Sequence, residues 1–160
     1  MSKRVDDLIK EGLSENGEIL NLRDKFLGLR GSIELANNPI LKNVKELILP
    51  SNQCADEGAE ALANSPYLEN LEILNLNHNE IGDDGAIALA NSTKLPKLNN
   101  LSVFGNVIGD SGAQAFANSE QSKKYIKLDL YKNQFGSIGY KALTESPNLK
   151  NCEELEVYRD

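Results

Sequence analysis

The stretch from Leu68 to Lys94 returns, shifted by 27 residues, up and down the chain. Leu74 lines up with Leu20, Leu47, Leu101, Leu128 and Leu155, and Leu76 with Leu22, Leu49, Val103, Leu130 and Val157. Asn79 lines up with Asn52, Asn106 and Asn133, and Gly85 with Gly31, Gly58, Gly112 and Gly139. Leu89 falls in one column with Leu8, Leu35, Leu62, Phe116 and Leu143. No insertion breaks the register. A fixed period of this length signals a solenoid, in which each unit buries its apolar face against its neighbours.

Each unit opens on a short alternation of period two, such as Leu47-Ile48-Leu49 or Leu74-Asn75-Leu76, which predicts a short strand. The Asn column follows and is expected to form a ladder that satisfies backbone groups of adjoining turns. Lys25 and Asp160 replace Asn at the two ends. Next comes a turn, Gly82-Asp83-Asp84-Gly85 or Gly109-Asp110-Ser111-Gly112. Its Asp and Ser are expected to cap the helix that they open. The second Gly is expected to let helix approach strand. The helix body is small and apolar, as in Ala86-Ile87-Ala88-Leu89-Ala90. Asn37, Asn64, Asn91 and Asn118 recur at helix ends, where a left-handed cap is expected. Pro39, Pro66 and Pro147 then stop the helix. Ahead of the first unit, Val5, Leu8 and Ile9 at helical spacing predict a capping helix.

The pattern Leu-x-x-Leu-x-x-Leu-x-Leu-x-x-Asn, followed by Ile-Gly-Asp-x-Gly-Ala-x-Ala-Leu-Ala, resembles the leucine-rich repeat. More narrowly, it is similar to the ribonuclease-inhibitor-like class, whose units pair a strand with a true helix. The resemblance implies an α/β solenoid, a horseshoe arc with a parallel sheet on the concave face and helices on the convex face. One domain over 1–160 is expected. It comprises an N-terminal helical cap over 1–13, five 27-residue repeats over 14–148, and a final strand over 149–160 without a cap. The unit is short for that class. The bare last strand would be an exposed sheet edge, open to self-association.

A net charge of −7 repels phosphate backbones and speaks against nucleic acid as a partner. The opening MSKRVDDLIKEG lacks the apolar run of a signal peptide, and no segment approaches the roughly 20 apolar residues of a membrane span. Cys54 and Cys152 lie repeats apart, too far for a bridge, and both stand in largely apolar columns. Buried thiols in a reducing compartment are therefore expected, with a cytoplasmic location, or a host cytosol for a delivered effector.

Where the leucines of a strand point inward, the residues between them point to the opposite face. Their third column reads Arg23, Pro50, Asn77, Phe104, Tyr131, Tyr158. Phe104, Tyr131 and Tyr158 are aromatics that the repeat does not require. Lys127, Asp129, Lys132, Glu154, Glu156 and Arg159 flank them. Such a strip suits a protein-binding hot spot; cross-strand packing that only stabilises the sheet is the other reading. Arg23 and Asn77 complete the candidate partner-binding set.

No catalytic residue, cofactor site or metal site emerges. His78 has no partners placed by the pattern and reads as a loop histidine. Asn75-x-Asn77-x-Asn79 starts like a calcium loop, but Glu80 stands where Gly is needed and Ala86 where the last acidic ligand belongs. Ser51 and Ser102 have no base. The chain is thus expected to be no enzyme. The resemblance implies a protein-interaction module binding a macromolecular partner on its concave face, as a bacterial effector or a regulatory scaffold. The alternative is a regulator of enzyme activity, such as a GTPase-activating protein, resting on Arg23 and the outward polar area of Asn75 and Asn77.

Overall fold

The computed structural model describes residues 2–157. The expected site residues Tyr158 and Arg159, and Asp160 of the Asn column, lie outside the described residues. Helix α1 (Lys3–Gly12) comes first. It is followed by β1 (Ile19–Asn21), α2 (Gly28–Ala36), β2 (Glu46–Ile48), α3 (Ala55–Ala63), β3 (Ile73–Asn75) and α4 (Asp83–Ala90). Then come β4 (Asn100–Ser102), α5 (Asp110–Asn118), β5 (Lys127–Asp129), α6 (Ser137–Thr144) and β6 (Glu154–Glu156). Short 3-10 turns occupy Pro39–Asn43 and Glu120–Lys124.

The strands form one parallel sheet in the order β1-β2-β3-β4-β5-β6. Leu20, Leu47, Leu74, Leu101, Leu128 and Leu155 pair in sequence, each 27 residues from the next. The sequence register is thus the register of the sheet. Helices α2 to α6 pack successively on one side of it. Strands stack about 4.8 Å apart and packed helices about 8–10 Å apart, so the stack must bend with the sheet inside the arc. Leucines from strand and helix meet in between: Leu47, Leu74, Leu101, Leu128, Leu35 and Leu62 are fully buried.

The asparagine ladder forms as expected, and every rung points backward. Asn79 Nδ2 donates to Leu49 O at 2.8 Å, and its Oδ1 accepts from the Asn52 N–H at 2.9 Å. Asn106 does the same one repeat on, to Leu76 O and from the Asn79 N–H. Asn52 and Asn133 also donate to the preceding repeat. Lys25 sits where the preceding unit is helix α1. There the Arg4 guanidinium donates to Lys25 O, and Lys25 Nζ pairs with Glu11 at 3.3 Å.

The helix starts are built differently from the expectation. Neither α4, α5 nor α6 has a side-chain cap from its own residues. The cap comes from the preceding helix. Asp56 Oδ1 accepts from the Gly82 and Gly85 N–H groups at 2.6 and 3.0 Å. Asp83 holds Gly109 and Gly112, both at 2.8 Å, and Asp110 holds Gly136 and Gly139 at 2.8 and 2.7 Å. The second Gly therefore serves helix-to-helix rather than helix-to-strand approach. A Cβ on Gly112 would lie 2.8 Å from Asp83 Oδ1 and 2.9 Å from Ala86 Cβ. The device is absent where its parts are. Leu29 occupies the Asp column in α2, and the next unit has Ala55 in the place of Gly82, with a left-handed φ of 55°. The Ala55 N–H instead donates to Asn79 O.

Two further expectations are corrected. Asn37, Asn64 and Asn91 have φ between −95° and −102°, so they are not left-handed caps. Their side-chain amides donate back to the carbonyls of Ile33, Glu60 and Ile87, which satisfies the helix end without the strained conformation. The next column adds a second ladder: Ser65 Oγ donates to Ala36 O, Ser92 Oγ to Ala63 O and Ser119 Oγ to Ala90 O. Both cysteines are free, but only Cys54 is buried; Cys152 is half-buried, because it lies in the last unit.

The two ends differ. Leu13 bridges antiparallel to Leu20, and the Ser14 N–H donates to Ile19 O at 2.8 Å, so the segment after α1 runs along β1. In β6, Leu155 is half-buried while Glu154 and Glu156 are exposed. Antiparallel pairing of two copies around Leu155 would set Glu154 against Glu156, and like charges directly opposite are destabilising.

Candidate functional site: an aromatic strip on the sheet face

The outward columns predicted from the period stand on the sheet face away from the helices. Phe104 and Tyr131 follow β4 and β5, and their rings stack with centroids 5.7 Å apart at 26°. Lys132 Nζ lies 5.6 Å from the Phe104 centroid and 5.9 Å from that of Tyr131. Both distances suit a cation–π contact.

His78, read as a loop histidine from sequence, belongs to the strip. Its ring meets Phe104 edge-on, with centroids 5.0 Å apart and planes at 85°. Two things place it. Asp24, Ser51, His78, Gly105 and Lys132 all have φ between 55° and 68°, so a left-handed turn recurs at this column and aims its side chains alike. Gly105, next in the column, leaves the room: a Cβ there would lie 2.4 Å from the His78 ring. The sequence holds only Gly105 one period after His78, which gains meaning once the turn geometry is known.

The outward residue two places before each member of that third column turns out to hold it in place. Asn21 Oδ1 accepts from the Arg23 N–H, Asn75 Oδ1 from the Asn77 N–H, and Asp129 Oδ1 from the Tyr131 N–H, at 3.0–3.1 Å. In the second repeat both partners vanish together, since Ile48 cannot accept and Pro50 has no N–H; Pro50 is buried rather than outward-facing. In the fourth, Ser102 is too short. Asn77 Oδ1 reaches across to accept from the Phe104 N–H at 2.9 Å and lies 2.7 Å from Ser102 Oγ. Asn77, expected as a contact residue, thus has its carbonyl oxygen committed to positioning Phe104.

Around the strip, Lys127 pairs with Glu154 across β5 and β6 at 2.7 Å. That hydrogen bond and the carboxylate's charge hold the Lys127 ammonium above its ordinary pKa. Asp129 lies between Ser102 and Tyr131, and Glu156 stands exposed on β6. The structure therefore gathers Phe104, Tyr131, Lys132, Lys127, Asp129 and Glu154 on neighbouring strands. Arg23 is not among them: it is exposed beyond β1, three strands from Phe104, roughly 14 Å at the usual strand spacing.

Three stretches, residues 41–63, 67–90 and 94–117, match the family model described as "Leucine Rich repeat". They coincide with the strand-and-helix units just described. Over these stretches the chain carries leucine-rich repeats. Among solved structures, "Leiomodin-1 Actin-Binding Site 2 (ABS2)" superposes with a TM-score of 0.61 at 14% identity, covering 93% of this chain and 87% of that one. The likeness is one of fold. No curated protein matches the sequence. Among the described residues, no helix is long and apolar enough to cross a membrane. No group of acidic, histidine and cysteine side chains among them is placed to hold a metal ion.

Proposed function

We propose that this chain is an interaction module, without enzymatic activity, that grips a protein partner on the concave face of its sheet, centred on Phe104 and Tyr131. The observation that carries this is the strip itself. Its column holds Arg23 and Asn77 in earlier repeats, so the fold does not need aromatics there. Half-buried rings give large contact area at low entropy cost, and binding energy concentrates on such residues. His78 and Lys132 extend the patch, and Glu154, Glu156 and Asp129 give it a charged rim. The structural neighbour is by its title an actin-binding site, so a fold of this shape does present a protein-binding surface; at 14% identity its partner does not carry over. A strand paired with a full helix in each unit supports the ribonuclease-inhibitor-like class. Two free thiols fit a reducing compartment such as the cytoplasm.

The test is affinity capture from lysate, read by mass spectrometry, with the wild type and with Phe104→Ala plus Tyr131→Ala. Each truncated hot-spot ring costs about 2 kcal/mol or more of binding. The double variant should therefore keep its circular dichroism spectrum and lose its partner. A folded double variant that retains every captured protein would sink the proposal.

A further inference from the structure

Beside the strip, the sheet face between β3 and β5 is not flat. A hollow of about 290 Å³ opens there, lined by Ile73, Asn75, Asn100, Ser102, Lys127 and Asp129. That is below the range of drug-sized ligand sites and of the order of one side chain.

The hollow holds acceptors that the donors around it leave unsatisfied. Asn100 Oδ1 is buried and has no hydrogen-bond partner. Ser102 Oγ lies 2.7 Å from Asn77 Oδ1 and 3.0 Å from Asp129 Oδ2, with one proton to share between two acceptors. Asp129 lines the same hollow, and its Oδ1 accepts one backbone N–H, which leaves carboxylate lone pairs to spare. The cation on this wall, Lys127, is drawn to Glu154 on the far side. Charge points the same way. Glu46, Asp129, Glu154 and Glu156 stand against Lys127 alone, leaving the six strands three negative charges in excess. A buried acceptor without a donor is rare in folded proteins and asks for an explanation.

We infer that this hollow is a specificity pocket for an arginine side chain of the protein partner. The inference rests on the proposed concave-face function. The guanidinium offers five donors in a planar fork, so a single group can serve Asn100 Oδ1 and the Asp129 carboxylate together. Its aliphatic stem would lie along Ile73. A lysine ammonium is a compact, strongly hydrated point charge without that fixed fork. The aromatic strip would then take the apolar neighbour of that arginine, so the partner's recognition segment combines a basic residue with a large apolar one.

The pocket can be tested without knowing the partner. Nα-acetyl-arginine amide and its neutral isostere Nα-acetyl-citrulline amide are titrated into the ¹⁵N-labelled protein. The arginine probe should shift the Asn100 side-chain amide and the Ser102 and Asp129 backbone amides, with an affinity at least about tenfold above the citrulline probe, a difference of roughly 1.4 kcal/mol. Asp129→Asn should erase that preference. Should that variant fail to fold, Asn100→Leu, which fills the hollow and leaves the Asp129 bonds in place, should abolish the shifts. Equal response to both probes, no response at any soluble concentration, or a preference that survives in a folded variant overturns the inference. The capture experiment with the aromatic variant is independent of this titration. An empty pocket beside a working strip, or the reverse, is therefore distinguishable.

Discussion

Replacing Asp83 by Ala removes the single acceptor that holds two N–H groups at the start of α5, Gly109 and Gly112, both at 2.8 Å. Nothing in α5 can take over, since its cap position is Gly109. Loss of an N-cap acceptor costs about 0.5–2 kcal/mol. Loss of a negative charge at a helix N-terminus adds about 0.3–1 kcal/mol. The sum centres on about 2 kcal/mol, or about 4–8 °C of melting temperature for a chain of this size. Asp84→Ala is the control. Asp84 shares the first turn of α4 with Asp83 but is exposed, so it carries the same interaction with α4's own dipole and no clasp. Asp83→Asn should fall between the two, because an amide oxygen still accepts without the charge. Urea unfolding followed by far-UV circular dichroism reads all three. Because the lost bonds join neighbouring repeats, Asp83→Ala should also broaden the transition, as the coupling that makes a repeat array unfold together weakens. If Asp83→Ala and Asp84→Ala unfold at the same urea concentration, the clasp contributes nothing and the reasoning is wrong.

Two other predictions concern the body of the stack. Asn106→Ala strips donors and acceptors from the Leu76, Val103, Asn79 and Ile81 backbone groups and should cost about 2–4 kcal/mol, whereas Lys25→Ala in the same column should cost under about 1 kcal/mol; equal unfolding midpoints would contradict the backward ladder. Burial pushes the Cys54 thiol up from 9.0 to about 11, so the folded protein keeps a proton that the unfolded chain loses. Stability should therefore fall as pH rises from about 9 to about 11, by about 2–3 kcal/mol from this group, and Cys54→Ala should flatten that part of the stability curve. Burial of the Tyr125 hydroxyl acts in the same direction and stays in the variant as the residual slope. Parallel alkaline curves for wild type and variant would refute the assignment.

The stacking of Phe104 on Tyr131 was legible because the period fixes the strand register, and the register fixes which outward residues are neighbours. His78 was not legible, because its approach to Phe104 depends on a left-handed turn and on the space above Gly105, neither of which a column of letters displays. Asn75 and Asn77 illustrate the opposite error. Their outward position suggested availability, but Asx-type bonds to the backbone two residues on, and across to Phe104, commit their oxygens. The hollow at Asn100 was also out of reach, since an unpaired oxygen is a property of the surroundings.

By itself the sequence determined the solenoid, its 27-residue register, the leucine core and the asparagine ladder. It could do so because a repeat that lacks insertions must stack like on like, and stacked identical positions have the same environment. Only the tertiary structure decided which neighbour each polar residue serves. Asp56, Asp83 and Asp110 look like caps of the helices that they begin, and they cap the following ones instead. Periodicity says that a residue recurs; the direction in which its hydrogen bonds run depends on the distance between one turn of the stack and the next. The glycines at 85, 112 and 139 close that distance.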